Sequence, residues 1–142
     1  MEDLRHTLSK VKSQMSKVKS TSEKSKVSEH VKIRAYKVAL EAIKLINGLP
    51  NKKAFWSLGD QLLRAITSIG ANIIEAKSAS SRREFIKFYE IALKSANESK
   101  FWLCLFRDSN IGNKALINKL LQEVTEISKI LASSLLTLKG KR

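Results

Sequence analysis

Apolar residues recur three and four positions apart along most of this chain, and strict alternation does not occur. Val31, Ala35, Val38, Ala42, Leu45 and Leu49 mark one such seam. That spacing places them on one face of a helix that meets a core. It predicts a first helix over residues 29–47, with Ser28 placed to cap its start and Gly48 then Pro50 to stop it. Phe55, Leu58, Leu62, Ala65, Ile66, Ile69, Ile73 and Ala76 predict a second helix over residues 52–77. After a KSASS turn, Ser81 with Glu84 three residues on forms a capping box that opens a third helix, reaching residue 108. Its core face is Phe85, Phe88, Ala92, Ser95, Ala96, Ser99, Trp102, Leu103 and Phe106. SNIGN makes the next turn. Leu116, Leu120, Val124, Ile127, Leu131, Leu135 and Leu138 predict a fourth helix over residues 113–138. No stretch reads as a strand. Four helices with short connections predict an all-α, antiparallel up-down four-helix bundle.

Two stretches are more apolar than one core face requires. Trp56, Leu63, Gly70 and Ile74 form a second seam beside the core face of the second helix. In the third helix Phe101, Cys104 and Leu105 point away from the core face, so FWLCLF is apolar all round. A helix surface that water cannot wet is usually covered by something else. Another copy of the chain is the simplest cover, with Trp56, Leu63, Ile74, Phe101 and Leu105 as interface candidates. The N-terminal arm or the first inter-helix loop is the alternative.

Residues 1–28 have a different character. SKVKS occurs twice, at 9–13 and 16–20, and SKVS follows at 25–28. Leu4, Leu8, Val11, Met15 and Val18 step by four and three, as a helical stripe would. The composition is that of a low-complexity Ser/Lys arm, disordered or made helical by a partner, with a membrane-surface or targeting segment as a further reading. Glu2 and Asp3 argue against an acid-free transit peptide. The expected organisation is this arm followed by one bundle domain, residues 29–142.

Charge adds a partner class. The formal net charge is +14 over 142 residues. Residues 1–28 hold seven basic and three acidic side chains, and residues 29–142 hold twenty and ten. The bundle is basic in its own right, which attracts polyanions such as RNA or DNA or simply maintains solubility. The candidate nucleic-acid contacts are Lys52, Lys53, Arg82, Arg83, Lys87, Lys94, Lys139, Lys141 and Arg142. Lys52, Lys53, Arg82 and Arg83 sit at helix N-termini, where positive charge opposes the dipole and an external anion would offset it. Aromatic–basic alternation is absent, so backbone contacts with weak sequence preference are expected.

Candidate chemistry is sparse. Gln61, Arg64, Ser68, Asn72 and Glu75 fall on one narrow arc of the second helix. They form a solvated face, a hydrogen-bonded network in which Arg64 meets Glu75 or Glu98, or a ligand site. A network would fix register between helices or subunits. A proton-transfer role needs a group poised near neutral pH, and the two histidines, His6 and His30, lie in or beside the arm. There is no phosphate-binding glycine loop, no Glu-x-x-His pair and no serine with a histidine placed to activate it. Cys104, alone, reads as a small buried hydrophobe. The expectation is a non-enzyme without cofactor or metal. It has no membrane-spanning run, no secretory signal and no disulfide, which fits the cytoplasm.

The pattern QL-x-RA-x-x-SI-x-AN-I-x-E-A over residues 61–76, S-x-x-E-F-I-x-F over 81–88 and IALKSANE over 91–98 resembles a known family. That family is the small four-helix-bundle proteins encoded in intervening sequences of bacterial 23S rRNA genes. Leu49–Pro50 and IGNKALINKLLQE, which opens the fourth helix, also fit, and the likeness spans about residues 30–138. Leu63, Gly70 and Ala76 stand where the family tends to carry Arg, Pro and Gly. Losing that Arg weakens any basic ligand site on the second helix. The resemblance implies a ring-like homopentamer. A related branch is similar to the accessory variability proteins of diversity-generating retroelements, basic pentamers that bind a reverse transcriptase and nucleic acid.

Overall fold

The computed structural model describes residues 23–141, with side chains from residue 29 onward. The expectations for residues 1–22 and for Arg142 lie outside the described residues. Four helices account for the rest: α1 (Glu23–Asn47), α2 (Lys53–Lys77), α3 (Arg82–Asp108) and α4 (Lys114–Leu138). α1 starts earlier than the sequence pattern suggests, so Ser28 lies inside it and is not its cap. Neither Gly nor Pro occurs between residues 23 and 47, so nothing in the backbone chemistry ends the helix there. The boundary between arm and bundle expected at residue 29 therefore falls within a helix.

The other ends follow local chemistry. Ser81 Oγ accepts a hydrogen bond from the Glu84 backbone N–H at 3.1 Å. The Glu84 carboxylate turns to Ser80, accepting from its hydroxyl at 2.6 Å, so the capping box is displaced by one residue. Asn113, unforeseen as a cap, accepts from the Leu116 N–H at 3.0 Å and opens α4. α3 closes in a Schellman turn: Ile111 N–H reaches Phe106 O and Asn110 N–H reaches Arg107 O. Asn110 takes the left-handed conformation there, φ 56°, and Ile111 is buried as the accompanying apolar contact.

Each helix packs on its two sequence neighbours, α4 returns to α1, and the diagonal pairs do not meet. This is the expected antiparallel four-helix bundle. The α2–α3 edge is the most extensive and the α1–α4 edge the least. The core comes from all four seams, with Leu62, Ile66, Ile69, Ile73, Leu103, Phe106, Leu120, Ile127 and Leu131 fully buried. Burying each such side chain is worth roughly 1.5–3 kcal/mol against leaving it wet. Tyr89 and Ile117 join the buried set, while Phe55, Leu58, Phe85, Phe88, Leu116 and Leu138 are partly buried against it.

The second seam of α2 has a partner inside the bundle. Gly59, Leu63, Ile66, Gly70 and Ile73 step by four and three along α2, and this line faces α1. A Cβ on Gly59 would lie 3.2 Å from Ile46 Cγ2, and one on Gly70 would lie 3.6 Å from Ala35 Cβ. The two glycines let α1 approach closely. Lys77 on the same line pairs with Glu29 of α1. Leu63 and Gly70 are thus used within one chain, which explains much of the excess width of the apolar arc.

Candidate nucleic-acid interface and assembly surfaces

The polar row of α2 is only partly a network. It faces α3, because Ser95 Oγ donates to Ser68 Oγ at 2.9 Å across the helix pair. Asn72 Nδ2 donates to the same Ser68 hydroxyl at 2.9 Å and to the Ser68 carbonyl at 2.8 Å. Ser95 is buried, and Ser68 and Asn72 are half-buried. The three groups satisfy one another, and their registration ties α2 to α3. The remaining members behave differently. Arg64 pairs with Asp60 one turn back, at 3.1 Å, and meets neither Glu75 nor Glu98. Both ends of that pair are exposed, so it is worth well under ~1 kcal/mol. Gln61 and Glu75 are exposed. Glu98 accepts from Trp102 Nε1 at 3.3 Å on its own helix. Asp60, one turn before Arg64, is the closer carboxylate, and the i,i+4 rule could have found it.

The predicted cations do not converge on one site. Lys52 and Lys53 sit at the start of α2, with the Lys52 ammonium 5.6 Å above the Phe55 ring. Arg82, Arg83, Lys87, Lys139 and Lys141 gather at the opposite end, a helix length away (roughly 35 Å at 1.5 Å per residue). Two of them are engaged within the fold: Lys139 pairs with Glu90 at 2.6 Å, and Arg82 donates to the Leu138 carbonyl. Arg83, Lys87 and Lys94 are exposed and form no ion pair among the described residues. Spaced by four and seven, they share one outward line on α3. Arg83 and Lys87 border a shallow, open depression of about 420 Å³ that Ser81, Glu84, Ile86 and Glu90 complete. The two carboxylates there make its floor unsuited to an anion, whereas the ridge formed by the three cations is open to one.

The same line continues into apolar surface. Phe101 and Leu105 follow Lys94 by seven and eleven, and Phe101 is 59% exposed. Its ring stands edge-on to Trp102, with centroids 5.0 Å apart. Leu105 and Cys104 are half-buried, so Cys104 is not the interior residue expected. Trp56, 66% exposed, lies at the same end of the bundle but on the α1 side of α2, with Ile74 half-buried further along that rim. The bundle therefore carries two separate apolar patches that look in different directions. A third apolar strip escaped the sequence reading: Tyr36, Leu40 and Ile43 on the outer face of α1, with Leu40 and Ile43 each exposed by more than two fifths. Their spacing of four and three was legible, but the stronger seam from Val31 to Leu45 masked it.

Two ion pairs hold α1 in place. Arg34 grips Glu123 of α4 with one edge of its guanidinium, Nε donating to Oε1 at 2.5 Å and Nη2 to Oε2 at 3.0 Å. The Arg34 hydrogen bonds hold the Glu123 carboxyl below its ordinary range despite partial burial. At the other edge, burial pushes Glu29 up, but Lys77 and Lys32 together outweigh it and bring the carboxyl down. Among the described residues, no three His, Cys, Asp or Glu side chains converge as a metal-ligand set, and no helix is long and apolar enough to cross a membrane.

Comparison with known proteins adds a family model and a solved structure. A family model described as 23S rRNA-intervening sequence protein matches residues 28–133. A crystal structure of a protein with unknown function from the S23 ribosomal protein family of Bacteroides thetaiotaomicron is 37% identical to this chain. It covers 74% of this chain and 97% of its own, with a TM-score of 0.69. No curated protein matches the chain.

Proposed function

The chain belongs to the family of 23S rRNA-intervening sequence proteins, and on that footing we propose that it is a non-enzymatic, homo-oligomeric bundle that binds RNA or DNA through phosphates. The observation that supports this reading is the ridge of Arg83, Lys87 and Lys94, exposed on one face of α3 and without a carboxylate partner among the described residues. Cations not consumed by the fold are available to release counterions from a polyanion. The ridge is a line of separate, flexible cations on the outside of one helix, which suits backbone contacts with weak sequence preference. Titration of structured RNA and duplex DNA at increasing salt tests this. Binding weakens steeply between ~50 and ~200 mM salt; a flat response, or none, overturns the electrostatic reading.

Assembly into a ring, with five copies by likeness to the family, is part of the same reading. Two different apolar patches, at Trp56 and at Phe101 with Leu105, suit a head-to-tail contact in which one patch of each copy meets the other patch of the next. A two-fold dimer would need only one. Light scattering that returns a monomer at micromolar concentration refutes this. A reverse transcriptase is the protein partner suggested by likeness to retroelement accessory proteins, and the cytoplasm is the compartment proposed. The competing reading is a protein-interaction scaffold with incidental charge, which exposed Trp56 and Phe101 favour. Capture of a protein partner that survives nuclease, with no nucleic acid bound, would establish it instead.

A further inference from the structure

Lys87 and Lys94 of the α3 ridge stand among carboxylates at pairing intervals along the helix. Glu84 lies three before Lys87, Glu90 lies three after Lys87 and four before Lys94, and Glu98 lies four after Lys94. On an exposed helix face residues so spaced pair readily, and Glu four before Lys is the better orientation. Glu90 with Lys94 is therefore the pair that sequence favours most. The fold makes none of these pairs. Glu84 accepts from the Ser80 hydroxyl, Glu98 accepts from Trp102 Nε1, and Glu90 is held by Lys139 at 2.6 Å. Lys139 is the capping residue that closes α4, so it meets Glu90 from the neighbouring helix. Among the described residues, Glu90 is the one of these three carboxylates whose charge meets a cation. We propose that Lys139 is a positioning residue for the ridge: by holding Glu90 it keeps Lys87 and Lys94 free for phosphate. That role rests on the phosphate-binding reading of the ridge, and it stands in place of direct phosphate contact by Lys139. Without Lys139, the Glu90 carboxylate turns to Lys94, or to Lys87 one turn back, and competes with phosphate for the same ammonium group.

A zero-length carbodiimide joins a carboxylate to an amine in contact with it, and reads the pairing in the full chain without nucleic acid. In the unmodified chain Glu90 should couple to Lys139; in Lys139→Ala it should couple to Lys94 or Lys87. Peptide mapping that finds Glu90 coupled to neither in the variant overturns the proposal, whatever the protein binds. The second arm is affinity for duplex DNA at ~50 mM salt. Lys139→Ala should weaken binding about twofold, the share of an ammonium group that a pair four residues apart withholds. Adding Glu90→Gln to that variant should restore the affinity of the unmodified chain. Adding Glu98→Gln instead makes the same change in net charge and should restore less. No rescue by Glu90→Gln, or equal rescue by Glu98→Gln, means that Lys139 acts through its charge alone and overturns the proposal while leaving the ridge reading in place. An unmodified chain without salt-dependent binding overturns the ridge reading, and this role of Lys139 with it.

Discussion

Removing the α3 ridge should flatten the salt dependence of nucleic-acid binding by a calculable amount. The perturbation is Arg83→Ala, Lys87→Ala and Lys94→Ala together. Each side chain is exposed and forms no ion pair among the described residues, so each substitution should alter stability by no more than about 0.5 kcal/mol. If each cation contacts one phosphate of a duplex, the slope of log K against log salt is smaller by about 0.9 per contact, or about 2.7 in all. Over a fourfold rise in salt that slope amounts to a factor of about 40 in affinity, which the wild type loses and the variant does not. If several copies touch one duplex, the difference grows in multiples of that slope. Fluorescence anisotropy with a labelled duplex, read at four or five salt concentrations, measures it. Lys52→Ala with Lys53→Ala is the matched comparison, because those residues lie at the other end of the bundle. An unchanged slope for the triple variant refutes the ridge as the phosphate contact, and a loss confined to the Lys52 and Lys53 variant moves the site to the start of α2.

Three further outcomes follow from the fold. Glu123→Gln should cost about 1–2 kcal/mol at neutral pH, since it breaks a two-bond charged contact that is only partly screened. Because Arg34 holds the folded-state Glu123 below 4.5, its stabilisation is complete above that pH and fades as pH falls through the lower folded value. Wild type and variant should therefore converge in acid melts. Gly70→Ala should raise stability by about 0.5–1 kcal/mol, because the new Cβ meets Ala35 at an ordinary 3.6 Å and the helix gains a better former. Gly59→Ala should gain less or nothing, because Ile46 must yield at 3.2 Å; thermal melts that rank the two the other way contradict the packing given for α1 on α2. Trp56→Ser with Phe101→Ser should leave helix content intact and shift light scattering toward monomer, and an unchanged mass removes both residues from the interface.

Much of the bundle was legible because its signals are local. Gly48, Pro50, the KSASS turn and SNIGN punctuate four seams whose residues all reach the core or its margin. The errors lie where local chemistry gives no instruction. Ser28 can cap a helix, but a helix with no breaker before it runs through such a residue. The second seam of α2 was real as a pattern and misassigned in part. A sequence shows that Leu63 and Gly70 share a face with Trp56, but not that α1 already occupies that face. Only the close approach at Gly59 and Gly70 separates the residues consumed within the chain from Trp56, which stays exposed.

The polar residues teach the converse. Arg64 was joined to distant carboxylates because the row from Gln61 to Glu75 looks continuous on a helical projection. In three dimensions a charged side chain takes the nearest opposite charge that costs no helix distortion, and Asp60 one turn back supplies it. Asn72 likewise turns back one turn, to Ser68 on its own helix. Ser68 and Asn72 face α3, and the Ser95 hydroxyl is buried there, so these three had to satisfy each other. The hydrogen bond that ties this row to α3 is therefore hydroxyl to hydroxyl, Ser95 to Ser68, while the ionised residues of the row remain at the surface. On α3 the sorting runs along a single line: Arg83, Lys87 and Lys94, with Glu90 between the last two and paired to Lys139, then Phe101 and Leu105. A neighbour that covers the apolar end of that line leaves the cationic end exposed at the edge of the contact. In the proposed ring, assembly through Phe101 would repeat the Arg83, Lys87 and Lys94 ridge once per copy, so the proposed phosphate contacts would multiply with the number of copies.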